Sequence, residues 1–436
     1  MNSEIERILK EKTVTADEAV KCIKDGDIVY IGTCTSTPYE LSRALGRRSE
    51  ELNDVTVTCS NLGKSLDILA MPEKFHGLSY FMGPMERKSL KMGALDFTSV
   101  HLSQIDIWCR ETCPPDVAFI EVSLPDEDGY VSFGATGVAL NKFILENAKT
   151  VIVQINSHAP YVLGEDNKMH LSEADMIVRF DEEIFEVQNL EPDDKVRAIS
   201  EFILDEIPDG ACLQIGIGGI GNAVGFGLKK RNDLSVHSEL MTDSLMELMK
   251  NGNVTNRHKG FIPGKSTVSF TLGTKDLYEF VDHNEDMYYM PFTVINDIRN
   301  IAANDNFISV NGAITIDLLG QVVADNINGD QFSGTGGQVD FVRGAQLSKG
   351  GKSFLAATSY NENHKTGKRI SRIVPTLAPG TAVTTARSEV QYVVTEYGCV
   401  NLKPLLRKDR TRALISLAHP DFRDELTEAA KQMGIL

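Results

Sequence analysis

The chain has 436 residues, 42% hydrophobic and 24% charged, the balance of a soluble globular protein too long for one ordinary core. A net charge of −17 argues against nucleic acid and anionic membrane as partners, although backbone N–H groups and a few local cations can still hold a phosphate-bearing small molecule. Seven scattered cysteines, a charged opening stretch with no secretory segment and no apolar run of membrane-spanning length point to a reducing, cytoplasmic compartment.

In chain order, Thr15 and Glu18 have capping-box spacing, which predicts a helix to Ile23 that stops at Asp25-Gly26. A strand over 28–31 follows, then Gly32 and a polar loop through Pro38, a helix over 39–48 and a strand over 55–59. Cys109 and Cys113 sit four apart, but no second Cys/His pair has zinc spacing, so no metal site is expected. Residues 123–134 form a turn of hairpin type, and the polar stretch 188–194, with Pro192, is the expected linker. Next come a helix over 199–207, a buried strand over 212–215, a glycine turn over 216–221, a helix over 222–230 capped by Asn222, and a strand over 234–238. A second glycine loop spans 332–341; it suits close approach to an extended ligand or, equally, a strand corner. Short strands over 370–374 and 391–395, a polar loop with Thr384, Thr385 and Arg387, and a helix after His419-Pro420 complete the chain.

The order helix, Asp-Gly, strand, Gly, helix, strand occurs twice, about 185 residues apart, far beyond solenoid periods. Two related open α/β domains are therefore expected, over 1–190 and 191–436. Where the second half places Glu239, the first half has Ser60 and Asn61. Gly216, Gly218 and Gly221 spell GxGxxG, and Glu239 follows 18 positions after the last glycine. Three readings fit that spacing. They are a dinucleotide site whose acid holds a ribose, a purely structural turn, and a carboxylate displayed at the carboxyl end of a parallel strand, where open sheets bind ligands.

Six further stretches bear on the choice: QIGIGGI at 214–220, His237-Ser238-Glu239, SGTGGQVDF at 333–341, RIVP at 372–375, VTEYG at 394–398 and AHPDF at 418–422. With the PDEDG turn at 125–129, they resemble in type and order the family I coenzyme A transferases, in the acetyl-CoA hydrolase/transferase branch that includes 4-hydroxybutyrate CoA-transferase. The resemblance covers essentially the whole chain. It implies the CoA-transferase fold, with the active site at the domain interface; two duplicated domains facing each other lead one to expect loops 32–38 and 101–104 to share the pocket with Glu239. It implies Glu239 as the nucleophile that becomes an enzyme–CoA thioester. It also implies Gln214, Gly216, Ile217, Gly218, Gly219, Ile220, Asn311, Gly334, Gly336, Gly337 and Lys365 as CoA-binding residues. No permanent cofactor is expected; CoA or acyl-CoA is a substrate, exchanged with a short carboxylate such as butyrate, acetate or 4-hydroxybutyrate. The expected assembly is a homo-oligomer, a homodimer, with neither nucleic acid nor membrane as partner. A thioester hydrolase is the nearest alternative, and an NAD-dependent dehydrogenase a more distant one. This chain departs from the pattern at Gly221, where relatives carry proline and a looser turn is expected, and at 403–406.

The chemistry is consistent with a glutamate. CoA exchange between two acids is nearly isoenergetic, but direct attack of a carboxylate on a thioester is slow, and a fixed carboxylate divides the reaction into easier steps. The nucleophile must be anionic, which leads one to expect N–H donors around Glu239 in place of apolar burial. His237, two residues back, reads as a hydrogen-bonded structural neighbour.

Overall fold

The computed structural model describes residues 3–216, 218–363 and 366–436. They divide into two compact units, Met1–Gln188 with Thr267–Ile295, and Asn189–Ser266 with Asn296–Leu436. Segment 267–295, which a division at residue 190 leaves in the second half, folds with the first unit. Within that unit Tyr289 N donates to Leu163 O at 2.8 Å and Glu165 N to Tyr289 O at 2.9 Å.

After a helix over Ser3–Lys12, the first unit continues with helix α1 (Ala16–Ala19), extended by a 3₁₀ turn over Val20–Cys22. The capping box forms: Glu18 N donates to Thr15 Oγ1 at 3.2 Å and Thr15 N to Glu18 Oε2 at 3.0 Å. Strand β1 (Ile28–Ile31), helix α2 (Tyr39–Arg47) and β2 (Val55–Thr58) follow as expected. With β3 (Phe75–Ser79), β4 (Leu95–Phe97), β5 (Val117–Val122), β6 (Thr150–Ile155) and β7 (Met176–Arg179) they make a seven-stranded, all-parallel sheet in the order β4-β3-β2-β1-β5-β6-β7. The interior strand β5 is buried at every position, Glu121 included, as befits a strand covered on both faces. The turn at 123–134 is of hairpin type, with Asp126 N donating to Tyr130 O and Tyr130 N to Asp126 Oδ1.

The second unit repeats the plan. Helix α3 (Asp194–Asp205) leads through Gly210 into β8 (Cys212–Ile215), then α4 (Gly219–Gly227) and β9 (Ser235–Val236). Strands β10 (Phe307–Gly312), β11 (Lys352–Ala356) and β12 (Tyr392–Thr395) continue in parallel, and β13 (Gly398–Asn401) closes the edge antiparallel, in the order β9-β8-β10-β11-β12-β13. The register sets Gln214 opposite Ser309 and Ile215 opposite Val310. The chain leaves β8 for β9 on one side and returns to β10 on the other. Such reversals are where open α/β sheets bind ligands, at the carboxyl ends of the strands. Among the described residues no helix is long and apolar enough to cross a membrane.

Candidate active site

The glycine turn comes first. After β8, Gly218 adopts φ +120, a conformation open to glycine and strained for any other residue, and serves as the N-cap of α4. The helix therefore starts at Gly219, three residues before the expected Asn222; Asn222 lies in its first turn, its N–H donating to Gly218 O at 3.0 Å. Gly221 permits this early start, since a Cβ there would overlap Gly216 O and press on Ile215. The expected loosening at Gly221 is thus reversed: its missing side chain draws the helix tight against β8. Gly218 and Gly219 are exposed and Ile220 is half-buried, while Ile217 lies outside the described residues. The leading N–H groups of α4 have no intrahelical partners, as at any helix start.

Under the turn, at the ends of β8 and β10, three polar side chains interlock. Ser309 Oγ donates to Gln214 Oε1 at 2.7 Å, Asn311 Nδ2 to the same oxygen at 3.0 Å, and Gln214 Nε2 to Asn311 Oδ1 at 3.2 Å. Gly216 N donates to Val310 O at 2.8 Å. Gln214, Gly216 and Asn311, chosen separately in the sequence, thus share one strand-end cluster.

Glu239 follows β9, which ends at Val236, two residues short of the expected strand end. Both polar atoms of the Val236 backbone are clamped: its N–H donates to Asn256 Oδ1 at 2.9 Å and its carbonyl accepts from Lys259 Nζ at 2.8 Å. Lys259 is buried, and burial pushes its ammonium down to about 7. His237 is wholly buried, its ring meeting the rings of Phe261, Phe307 and Phe341 edge-on, which suits a structural neighbour. Glu239 Oε2 accepts from Asn296 Nδ2 at 2.9 Å; among the described residues Oε1 accepts no hydrogen bond.

Part of the Glu239 surface stays open, yet its carboxyl lies deep enough among protein atoms for burial to dominate its charge state. Burial pushes it up to about 7, the Asn296 hydrogen bond pulls it down, and the negative Asp340 adds to the rise. The expected ring of N–H donors is therefore replaced by a single amide in a desolvated setting.

The second glycine loop is neither a strand corner nor a free loop. It leads into helix α5 (Gln338–Leu347), with Gly336 at φ +63 and Gly337 as N-cap. A Cβ at Gly337 would overlap both Glu239 Oε2 and Asn296 Nδ2, so the backbone there is pressed against the carboxylate. Gln338 Nε2 donates to Gly312 O at 2.8 Å, and Gln338 Oε1 accepts from Thr385 Oγ1 at 2.9 Å. Thr384 Oγ1 donates to Asp325, whose carbonyl receives the Phe332 and Ser333 N–H groups. The polar loop at 384–385 thus anchors the glycine loop, which holds buried Gly334. Lys365 lies outside the described residues.

Glu239, Gly337 and Asn296 are brought together, as are Gln214, Gly216 and Asn311. Asn296 was not identifiable in the sequence, where Ile295-Asn296-Asp297 carries no spacing signal; Asp340 stood inside a motif without a role. In the first unit, loop 32–38 is packed, with buried Ser36 Oγ accepting from Thr136 N at 3.1 Å and Gly137 N at 3.2 Å. A cavity of about 380 Å³ in that unit contains none of the motif residues, and Glu183, Glu186, Glu279 and Asp282 give it an acidic lining unsuited to phosphates.

Comparison with known proteins matches residues 2–188 to the acetyl-CoA hydrolase/transferase N-terminal domain and residues 273–430 to the C-terminal domain of the same name. The chain is 39% identical to a butyryl-CoA:acetate CoA-transferase of Anaerostipes caccae, covering 98% of this chain and 97% of the relative. It is 40% identical to a 4-hydroxybutyrate coenzyme A transferase of Clostridium kluyveri, covering 98% and 99%. The crystal structure of RipA from Yersinia pestis superposes with a TM-score of 0.94 at 34% identity, over 100% of both chains. The two-part plan, the glycine turn at the switch of strand order and these whole-length matches agree: the chain belongs to the acetyl-CoA hydrolase/transferase family.

Proposed function

We propose that the protein transfers coenzyme A between a short-chain acyl-CoA and a carboxylic acid of the butyrate, acetate or 4-hydroxybutyrate type, with Glu239 as nucleophile. The observation that carries this reading is the setting of Glu239: a carboxylate at the ligand-binding edge of a parallel sheet, one oxygen held by Asn296 and the other accepting no hydrogen bond among the described residues. A proton affinity raised to about 7 leaves the carboxylate substantially ionised at neutral pH and more basic than a free one.

In the proposed reaction Oε1 attacks the thioester carbonyl, the C–S bond breaks, and CoA thiolate leaves a mixed anhydride. The thiolate then attacks the Glu239 carbonyl carbon, the C–O bond to it breaks, and the first acid departs as carboxylate, leaving a glutamyl-CoA thioester. A second carboxylate reverses both steps, giving ping-pong kinetics. The N–H groups at the Gly218–Gly219 helix start suit the developing oxyanion, a contribution of about 3 kcal/mol when aligned. Gln214, Asn311, Gly334, Gly336, Gly337 and Lys365 are assigned to CoA.

All seven cysteines are free thiols, in keeping with a reducing cytoplasm. A homodimer is proposed on family resemblance, and light scattering tests it. The functional test is a panel of short acyl-CoA donors against carboxylate acceptors, with water as control. Acid-dependent exchange far above CoA release into water supports the transferase; equal release with and without acid assigns the hydrolase.

A further inference from the structure

We infer that Lys259 is a positioning residue for Glu239: its side chain, buried beside the end of β9, fixes the peptide plane from which the nucleophile's segment departs. The inference rests on the reading of Glu239 as nucleophile. β9 is the edge strand of its sheet, two residues long and paired with β8 alone. An edge strand presents its outer backbone groups to whatever lies beside it. Here the stretch 253–259 takes them. Leu234 N donates to Asn253 O at 2.8 Å, Asn256 N to Leu234 O at 3.1 Å, Val236 N to Asn256 Oδ1 at 2.9 Å, and Lys259 Nζ to Val236 O at 2.8 Å. On the inner side His237 N donates to Leu213 O at 3.1 Å. The peptide unit joining Val236 to His237 is therefore held at both ends, its oxygen by the lysine and its N–H by β8. A peptide unit is planar, so its orientation sets the direction in which Ser238 and Glu239 leave the strand.

Lys259 is 4% exposed, and its Nζ also donates to Lys265 O at 2.8 Å. Burial lowers its ammonium to about 7. A desolvated ammonium is a costly way to satisfy two carbonyls, and an apolar side chain of similar volume would escape that cost. What the lysine adds is a donor that reaches the last carbonyl of β9 from 23 positions away. The segment it steers is otherwise walled in: Ser238 is fully buried, and the His237 ring is boxed by Phe261, Phe307 and Phe341. A tilt of the plane is thus passed along the chain to Glu239 and not absorbed by solvent-exposed slack. Misplacing a reacting group by about an ångström costs up to about a hundredfold in rate.

The test compares Lys259→Met, which keeps the length and removes the donors, with the full-length wild type. Circular dichroism and urea midpoints establish that the rates refer to folded protein. Steady-state kinetics with butyryl-CoA and acetate give kcat and KM, and single-turnover mass spectrometry gives the rate of CoA adduct formation. Lys259→Met is expected to lower kcat and adduct formation about tenfold or more and to change KM for butyryl-CoA by less than about threefold. Normal turnover by the folded variant assigns the lysine to structure alone and overturns the inference. An effect confined to KM, or kcat, KM and midpoint all falling together, also overturns it. If Lys259→Met fails to fold, Lys259→Gln, which keeps amide donors on a shorter stem, is read in the same way. Mapping the adduct on the wild type separates the two levels. An adduct at another residue refutes the nucleophile itself, whereas an adduct at Glu239 that forms at the wild-type rate in the variant refutes only the role of Lys259.

Discussion

Replacing Glu239 with glutamine should stabilise the protein, and only on the alkaline side. The carboxyl has an ordinary value of 4.5 in the unfolded chain and about 7 in the fold, where burial is the main cause. A raised carboxyl favours folding fully below 4.5, and that contribution is lost as pH rises through about 7, because the folded state must then hold a desolvated charge. At roughly 1.36 kcal/mol per pH unit, the interval amounts to about 3 kcal/mol against folding at pH 8.5 and under about 1 kcal/mol at pH 5. Glutamine has no proton to lose and can still accept from Asn296. Any fixed difference between glutamine and protonated glutamate enters equally at both pH values and cancels. Urea unfolding of wild type and Glu239→Gln at the two pH values should therefore show the variant's advantage growing by about 2–3 kcal/mol, a site made costly for function. A stability difference that does not change with pH would refute the burial argument, whatever happened to activity.

Glu239→Asp should lower the rate of adduct formation more than about tenfold, because losing one methylene withdraws the carboxylate from Asn296 by about an ångström; single-turnover kinetics check it. Gly337→Ala should reduce turnover by about two orders of magnitude and stability by about 1–3 kcal/mol, since its Cβ would displace both Oε2 and the Asn296 amide; steady-state rates and urea midpoints measured together check this. A Cβ at Gly218 would meet no neighbour within 4 Å, but Gly218→Val is strained at φ +120, so a stability loss of about 1–3 kcal/mol should accompany a larger loss of CoA turnover. If stability collapses while the folded fraction turns over normally, the turn serves structure alone.

Much of the second unit's plan was legible in the sequence, because local signals and tertiary structure agree there. Asp209-Gly210, the buried run at 212–215 and the glycines at 216–221 each have one cheap solution, and β8, the turn and α4 adopt it. The boundaries shifted where packing overrode local preference. Asn222 is a good cap by composition, but three glycines let the helix begin earlier and closer to β8. The strand after it stops at Val236 because Asn256 and Lys259 take over its backbone groups, and neither is predictable from residues 234–238. Asn296 reaches Glu239 across 57 positions, and no periodicity encodes such a meeting. The desolvated setting of Glu239 was not legible for the same reason, since desolvation depends on what the rest of the unit packs around it.

The central claim is that Glu239 carries CoA. The direct measurement is peptide mass spectrometry after incubating the protein with butyryl-CoA alone, with no acceptor acid present. The expected result is CoA attached as a thioester to the peptide containing Glu239, discharged by added acetate, converted by hydroxylamine to a hydroxamate and reduced by borohydride, with both reagents abolishing activity. An unmodified Glu239 peptide under turnover conditions, together with intersecting double-reciprocal lines, would contradict it.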